Sequence, residues 1–138
     1  MKKSKILVIE DSQELAYQSR LRLEKAGYNV EIAADGNEGV KKARETNPDI
    51  ILLDLMLPMV DGYSVCRLLK FDQKYEHIPV IILTARSLEQ DKDLAVKTGA
   101  NAYLLKPVDW NLLLETIENL LQNTKTREAT SSLGTKAD

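Results

Sequence analysis

Three carboxylates, a hydroxyl and an ammonium stand at the ends of separate apolar runs in this sequence. Glu10 and Asp11 follow K-I-L-V-I, Asp54 follows I-I-L-L, Thr84 follows V-I-I-L, and Lys106 follows A-Y-L-L. A short run rich in Ile and Leu reads as a strand buried on both faces. A carboxylate at the end of such a run is costly unless the place is wet, paired or metal-bound. If the strands are parallel neighbours, all five side chains converge on one rim. Two carboxylates about 4 Å apart repel by roughly 4 kcal/mol at an effective dielectric near 20, so a trio calls for cations. Lys106 supplies one positive charge, and a hard divalent ion would supply two more. Mg²⁺ prefers oxygen ligands, keeps several waters and often joins carboxylates to a phosphate. No His or Cys stands at these strand ends, which argues against zinc or copper. The set predicts an acidic cup for Mg²⁺, with Mn²⁺ as a substitute, open to a phosphoryl group.

The elements that would position these groups alternate regularly. Apolar runs near residues 5–9, 30–33, 50–53, 79–83 and 102–105 are separated by helical patterns. Leu15, Leu23 and Ala26 recur at helical spacing before Gly27 stops the first helix. Asp35-Gly36 opens a second helix and Asn47-Pro48 closes it. Gly62 to Lys70 suits a third, with Val65, Leu68 and Leu69 on one side. Ser87 or Leu88 to Lys97 suits a fourth, ended by Thr98-Gly99, and Asp109 caps a fifth striped by Trp110, Leu113, Leu114, Ile117 and Leu121. Five strand-helix units predict an α/β fold, a doubly wound parallel sheet with helices on both faces and right-handed crossovers. The second run is the most polar and suits an edge. In such sheets the working site lies beyond the carboxyl ends of the strands, at a switch point in strand order.

The chain has 138 residues, 43% hydrophobic and 29% charged, with a formal charge of −2, which suits one soluble domain and gives no global basic field for nucleic acid. The apolar run near the N-terminus is too short for a signal peptide, and nothing approaches the eighteen or so apolar residues of a membrane span. Cys66 is the single cysteine, which excludes an internal disulfide and suits a reducing, cytoplasmic setting. His77 lies in the polar connection F-D-Q-K-Y-E-H-I-P and reads as a surface residue. Beyond Asn123 only one Leu occurs and periodicity is lost, so residues 1–123 are expected to fold and 124–138 to form a disordered tail or linker stub.

Taken together, Glu10-Asp11, then D-L-M-L-P-M-V-D-G from Asp54, then Thr84-Ala85 and Lys106-Pro107 resemble the receiver domain of two-component response regulators. Intervals of 43, 30 and 22 residues separate Asp11, Asp54, Thr84 and Lys106, all typical of that family, and the likeness covers roughly residues 4–122. The resemblance implies a flavodoxin-like (βα)5 fold with strand order 2-1-3-4-5. It implies that Asp54 accepts a phosphoryl group as a carboxylate nucleophile. Asp11 would ligate Mg²⁺ directly, Glu10 through water, and the backbone carbonyl of Met56 would be a further ligand. Lys106 would pair with the phosphoryl group and Thr84 would donate a hydrogen bond to it. Tyr103 matches the aromatic that swings inward as the threonine moves, and Pro107 would follow a cis peptide bond. The family usually has Asp where Glu10 stands, and the extra methylene shifts the outer carboxylate.

The resemblance also implies partners. A sensor histidine kinase or histidine phosphotransfer protein would supply the phosphoryl group, since His77 carries no such role. Gln13, Glu14, Tyr17 and Arg20 on the first helix are where such a kinase docks. The face of the fourth helix, fifth strand and fifth helix would control an output partner, with a monomer or a phosphorylation-dependent dimer as the assembly. Met56 and Arg86 would flank the site and govern water access. The chain would be a signalling switch catalysing its own phosphorylation and dephosphorylation, not an enzyme in the usual sense.

Single residues read more plainly. Alone, Asp54 is as well explained as a turn or cap, Thr84 as a structural β-branched residue, Lys106 as a solvated lysine and Tyr103 as a half-buried strand aromatic. Their joint placement favours the site. A phosphate-ester hydrolase of the haloacid-dehalogenase kind wants an acid two residues after the nucleophile, where Met56 stands. A dinucleotide site wants glycines where Glu10-Asp11-Ser12 would repel pyrophosphate. The remaining rival is a receiver-like interaction module that works without phosphorylation.

Overall fold

A computed structural model describes residues 3–57, 62–85 and 99–132, with side chains to residue 123 in the last stretch. Strands β1 (Lys5–Ile9), β2 (Asn29–Ala33), β3 (Ile50–Asp54), β4 (Val80–Thr84) and β5 (Ala102–Leu105) form one parallel sheet in the order β2-β1-β3-β4-β5. Four helices are described: α1 (Gln13–Lys25), α2 (Gly36–Thr46), α3 (Gly62–Lys70) and α4 (Trp110–Ser132). The last is the helix placed fifth in the sequence. The expected helix at 87/88–97 lies outside the described residues, as do Pro58 and Arg86. This is the expected doubly wound α/β fold, with polar β2 at an edge.

Alternation along the strands divides the core into two layers. Leu7, Ile9, Ile51, Leu53, Val80 and Ile82 face α2 and α3, joining Ala43, Val65, Cys66 and Leu69. Ile6, Val8, Ile50, Leu52, Ile81 and Leu83 face the other way, with Leu23 from α1 and Leu113, Ile117 and Leu121 from α4. Fully burying each such Leu or Ile contributes about 1.5–3 kcal/mol, which holds the central strands rigid beneath their polar ends.

The helix boundaries follow their caps. Ser12 Oγ accepts the Leu15 N–H at 3.2 Å, and Gly27 takes φ +102° just after α1. Asp35 Oδ1 accepts the Glu38 N–H at 2.8 Å, while Glu38 reaches back to the Ala34 N–H at 2.8 Å. Asn47, left-handed at φ 48°, ends α2. Asp109 Oδ1 accepts the Leu112 N–H at 3.1 Å and caps α4.

Two expectations change. The buried line of α1 is Ala16, Ser19 and Leu23, with Leu15 and Ala26 exposed, because small residues let the helix lie close to the sheet. On α3, Cys66 takes the buried place expected of Leu68, which is exposed. Helix α4 is described as far as Ser132, and neither Gly nor Pro interrupts the sequence from Trp110 to there.

Candidate functional site

The strand order brings the ends of β1 and β3 side by side. Leu53 pairs with Ile9, so Asp54 emerges level with Glu10. The Glu10 N–H donates to Ala33 O at 3.0 Å, which holds the chain in sheet geometry for one residue beyond β1. Its carboxylate is buried and accepts from two directions: Oε2 from the Ser12 N–H at 3.2 Å, and Oε1 from Lys106 Nζ at 2.9 Å. Asp11 stands exposed at the rim.

Asp54 closes β3 and is 6% exposed. Its Oδ1 accepts the Met56 N–H at 3.0 Å, and its Oδ2 lies 3.5 Å from Lys106 Nζ. Carboxylate oxygens of Glu10, Asp11 and Asp54 fall within 4.8 Å of one another. Three hard oxygen donors at this spacing match an oxygen-preferring divalent ion such as Mg²⁺ and do not match a nitrogen- or sulfur-preferring metal.

Lys106 reaches this pocket from the far edge of the sheet. Its N–H donates to Thr84 O at 2.7 Å, and a cis Lys106–Pro107 peptide bond follows. The structure ties Thr84 to the site through that backbone carbonyl. The Thr84 side chain is fully buried at the end of β4. Tyr103, half-buried on β5, packs against the core layer of α2 and α3. The Met56 side chain is exposed beside Asp54.

The charges are interdependent. Burial, the largest influence on Glu10, pushes its carboxyl above the ordinary value of 4.5, and the neighbouring Asp54 charge adds to the rise. The Lys106 hydrogen bond and charge work against that rise without cancelling it. For Lys106 burial acts downward and is the largest single influence, yet the bonds and charges of Glu10 and Asp54 together outweigh it. Its ammonium is held above 10.5. Lys106 is thus the local counter-ion of a carboxylate pocket.

Two supports escaped the sequence reading. The bond from Lys106 to Glu10 depends on how far two long side chains extend across the sheet ends, which residue spacing does not show. Gly62, at the start of α3, is the other. A Cβ there would lie 2.6 Å from Leu55 Cα and 2.7 Å from Asp54 O, so only glycine lets α3 approach the acceptor strand this closely. The sequence placed Gly62 at the start of the third helix, which does not reveal this contact. Arg20 also departs from expectation: it is half-buried, donating to Val30 O at 3.4 Å, while Gln13, Glu14 and Tyr17 face outward. His77 is exposed.

A five-stranded 2-1-3-4-5 sheet with an acidic pocket at its carboxyl ends is the arrangement of a signalling receiver. The chain belongs to the response-regulator receiver family, whose domain model matches residues 6–118. Protein PilH of Pseudomonas aeruginosa is 40% identical over 118 residues, which cover 86% of this chain and 98% of PilH. The DNA-binding dual master transcriptional regulator RpaA of Synechocystis sp. is 42% identical over 120 residues, 87% of this chain and 50% of RpaA. Response regulator ArlR of Staphylococcus saprophyticus is 42% identical over 119 residues, 86% of this chain and 53% of ArlR. The chain therefore spans about half the length of those two regulators. The crystal structure of a CheY-like receiver domain protein from Methanospirillum hungatei superposes with a TM-score of 0.85 at 27% identity, covering 91% of this chain and 99% of that one. Among the described residues no helix is long and apolar enough to cross a membrane.

Proposed function

We propose that this receiver domain accepts a phosphoryl group on Asp54 from a histidine kinase or histidine phosphotransfer protein. The observation that carries the reading is the pocket itself: three carboxylates within 4.8 Å of one another and the Lys106 ammonium 3.5 Å from Asp54 Oδ2. The P–N bond to the donor imidazole breaks as a P–O bond to Asp54 forms, and the electron pair returns to the imidazole nitrogen. Such transfers pass through a loose transition state, for which positioning and charge stabilisation are the main catalytic demands. The Met56 N–H orients the Asp54 carboxylate. Lys106 moves its attention from Glu10 toward the incoming phosphoryl oxygens, and the Thr84 hydroxyl donates to one of them. Glu10, Asp11, Asp54 and the Met56 carbonyl would hold Mg²⁺, which when bound supplies positive charge against the phosphoryl oxygens.

The phosphoryl group adds about −1.5 to −2 charges at the end of β3. Rearrangement of Thr84 and Tyr103 transmits that charge to the face built by β5 and α4, where an output protein or domain reads it. The outward residues Gln13, Glu14 and Tyr17 serve the phosphoryl donor.

The test is incubation with acetyl phosphate and Mg²⁺ followed by intact mass. One added phosphoryl group is expected in the wild type and none in Asp54→Ala. A gain in both would place the acceptor elsewhere. No gain in the wild type, together with unchanged amide spectra on adding beryllofluoride and Mg²⁺, would favour the interaction module that needs no phosphorylation.

A further inference from the structure

Away from the phosphoryl pocket, the outer surfaces of α2 and α3 border a shallow, open groove that the receiver chemistry does not use. Leu68 and Phe71 lie one turn apart at the end of α3 and are 53% and 68% exposed; Phe71 is the only phenylalanine in the chain. They line a depression of about 990 Å³ with Arg44, Arg67 and Lys74. A second hollow of about 450 Å³ continues it past Lys41 and shares Arg44 and Leu68. Four cations thus ring the apolar floor against two anions, Glu45 and Asp72, while the whole chain carries −2. A positive groove on a negative molecule selects by charge, and exposed large apolar side chains inside it supply contact area.

We propose that this groove docks an acidic amphipathic helix of a partner protein. Two apolar side chains one turn apart would pack on Leu68 and Phe71, and flanking Asp or Glu would pair with Arg44, Arg67 and Lys74. A shallow groove bordered by two helices fits a third helix laid along it. It fits a nucleic acid or a flat anionic membrane less well, because Leu68 and Phe71 offer two apolar contacts one turn apart, the spacing a helix presents. The inference does not depend on phosphoryl acceptance at Asp54.

The test titrates isotope-labelled protein with a synthetic Leu/Glu/Ala helical peptide and follows amide shifts. Parallel titrations use the same peptide with Gln for every Glu, an oligothymidylate and phosphatidylserine vesicles. Shifts confined to α2, α3 and residues 71–74 are expected with the acidic peptide, with binding weakened about tenfold or more by Phe71→Ala and by Arg67→Glu. Both side chains are exposed, so the rest of each variant's spectrum should match the wild type. Absence of shifts with the acidic peptide, equal binding of the Gln peptide, or preferential binding of the oligonucleotide or vesicles would overturn the proposal. So would concentration-dependent shifts at the same amides without peptide, which would assign the groove to a second copy of the chain.

Discussion

The ammonium of Lys106 sits 2.9 Å from the Glu10 carboxylate, across 96 positions of chain. The same nitrogen lies 3.5 Å from Asp54, so one cation serves two buried carboxylates and is closer to the one that is not the proposed acceptor.

Removing that cation should therefore be felt in stability. Lys106→Met leaves Glu10 and Asp54 facing each other without a counter-ion. Buried pairs broken on one side cost about 3–5 kcal/mol, and exposed pairs at most about 1 kcal/mol. Lys106 keeps 19% of its side chain in solvent, so a loss of roughly 1–2 kcal/mol is expected by urea denaturation. Adding Mg²⁺ should recover part of it, and an undiminished midpoint without Mg²⁺ would refute the counter-ion role.

Alkaline pH offers a second measurement. Burial, with the Glu118 charge behind it, raises the Tyr28 hydroxyl above its ordinary 10.0. A group whose pKa is higher in the folded chain than in the unfolded one stabilises fully below the unfolded value and loses that contribution as pH climbs through the folded one. Lys106, held above 10.5, acts with the same sign. Stability should fall above about pH 10, and Tyr28→Phe should flatten part of the decline in denaturation curves taken across that range.

Gly62→Ala should disturb both fold and chemistry. The added methyl would meet backbone at Leu55 and Asp54, which cannot rotate away as a side chain can. A loss of about 1–3 kcal/mol is expected, as for other overpacked positions. Labelling by acetyl phosphate should slow as the acceptor strand shifts, and wild-type labelling kinetics would show the contact to be dispensable.

Chelation should separate the metal from the protein groups. With EDTA present, acetyl phosphate should leave the mass of the wild type unchanged. Asp11→Asn should need about tenfold or more Mg²⁺ for half-maximal labelling, the scale on which site residues alter metal affinity. Isothermal titration with Mg²⁺ checks the same point without phosphoryl transfer.

The sheet was legible in the sequence because each strand is a short apolar run whose polar end breaks the pattern, and Asp35 and Asp109 mark the starts of helices of ordinary chemistry. Glu10, Asp11 and Asp54 could be brought together in advance because adjacent parallel strands put their ends level. Helix faces were harder. In α3, Val65, Leu68 and Leu69 are all apolar, so periodicity alone does not say whether Leu68 or Cys66 turns inward. In α1, Ala16 and Ser19 are too small to mark a buried line. The Lys106–Glu10 bond was invisible for another reason: it spans the ends of both β4 and β3, and its formation depends on sheet twist and side-chain reach.

Strand order also arranges the site in time. Ribosomal synthesis completes β1 and β3 first, and with them Glu10, Asp11 and Asp54, whereas the balancing lysine follows β5, the last of the described strands. A nascent chain stalled before residue 106 would carry the three carboxylates without the ammonium that balances them.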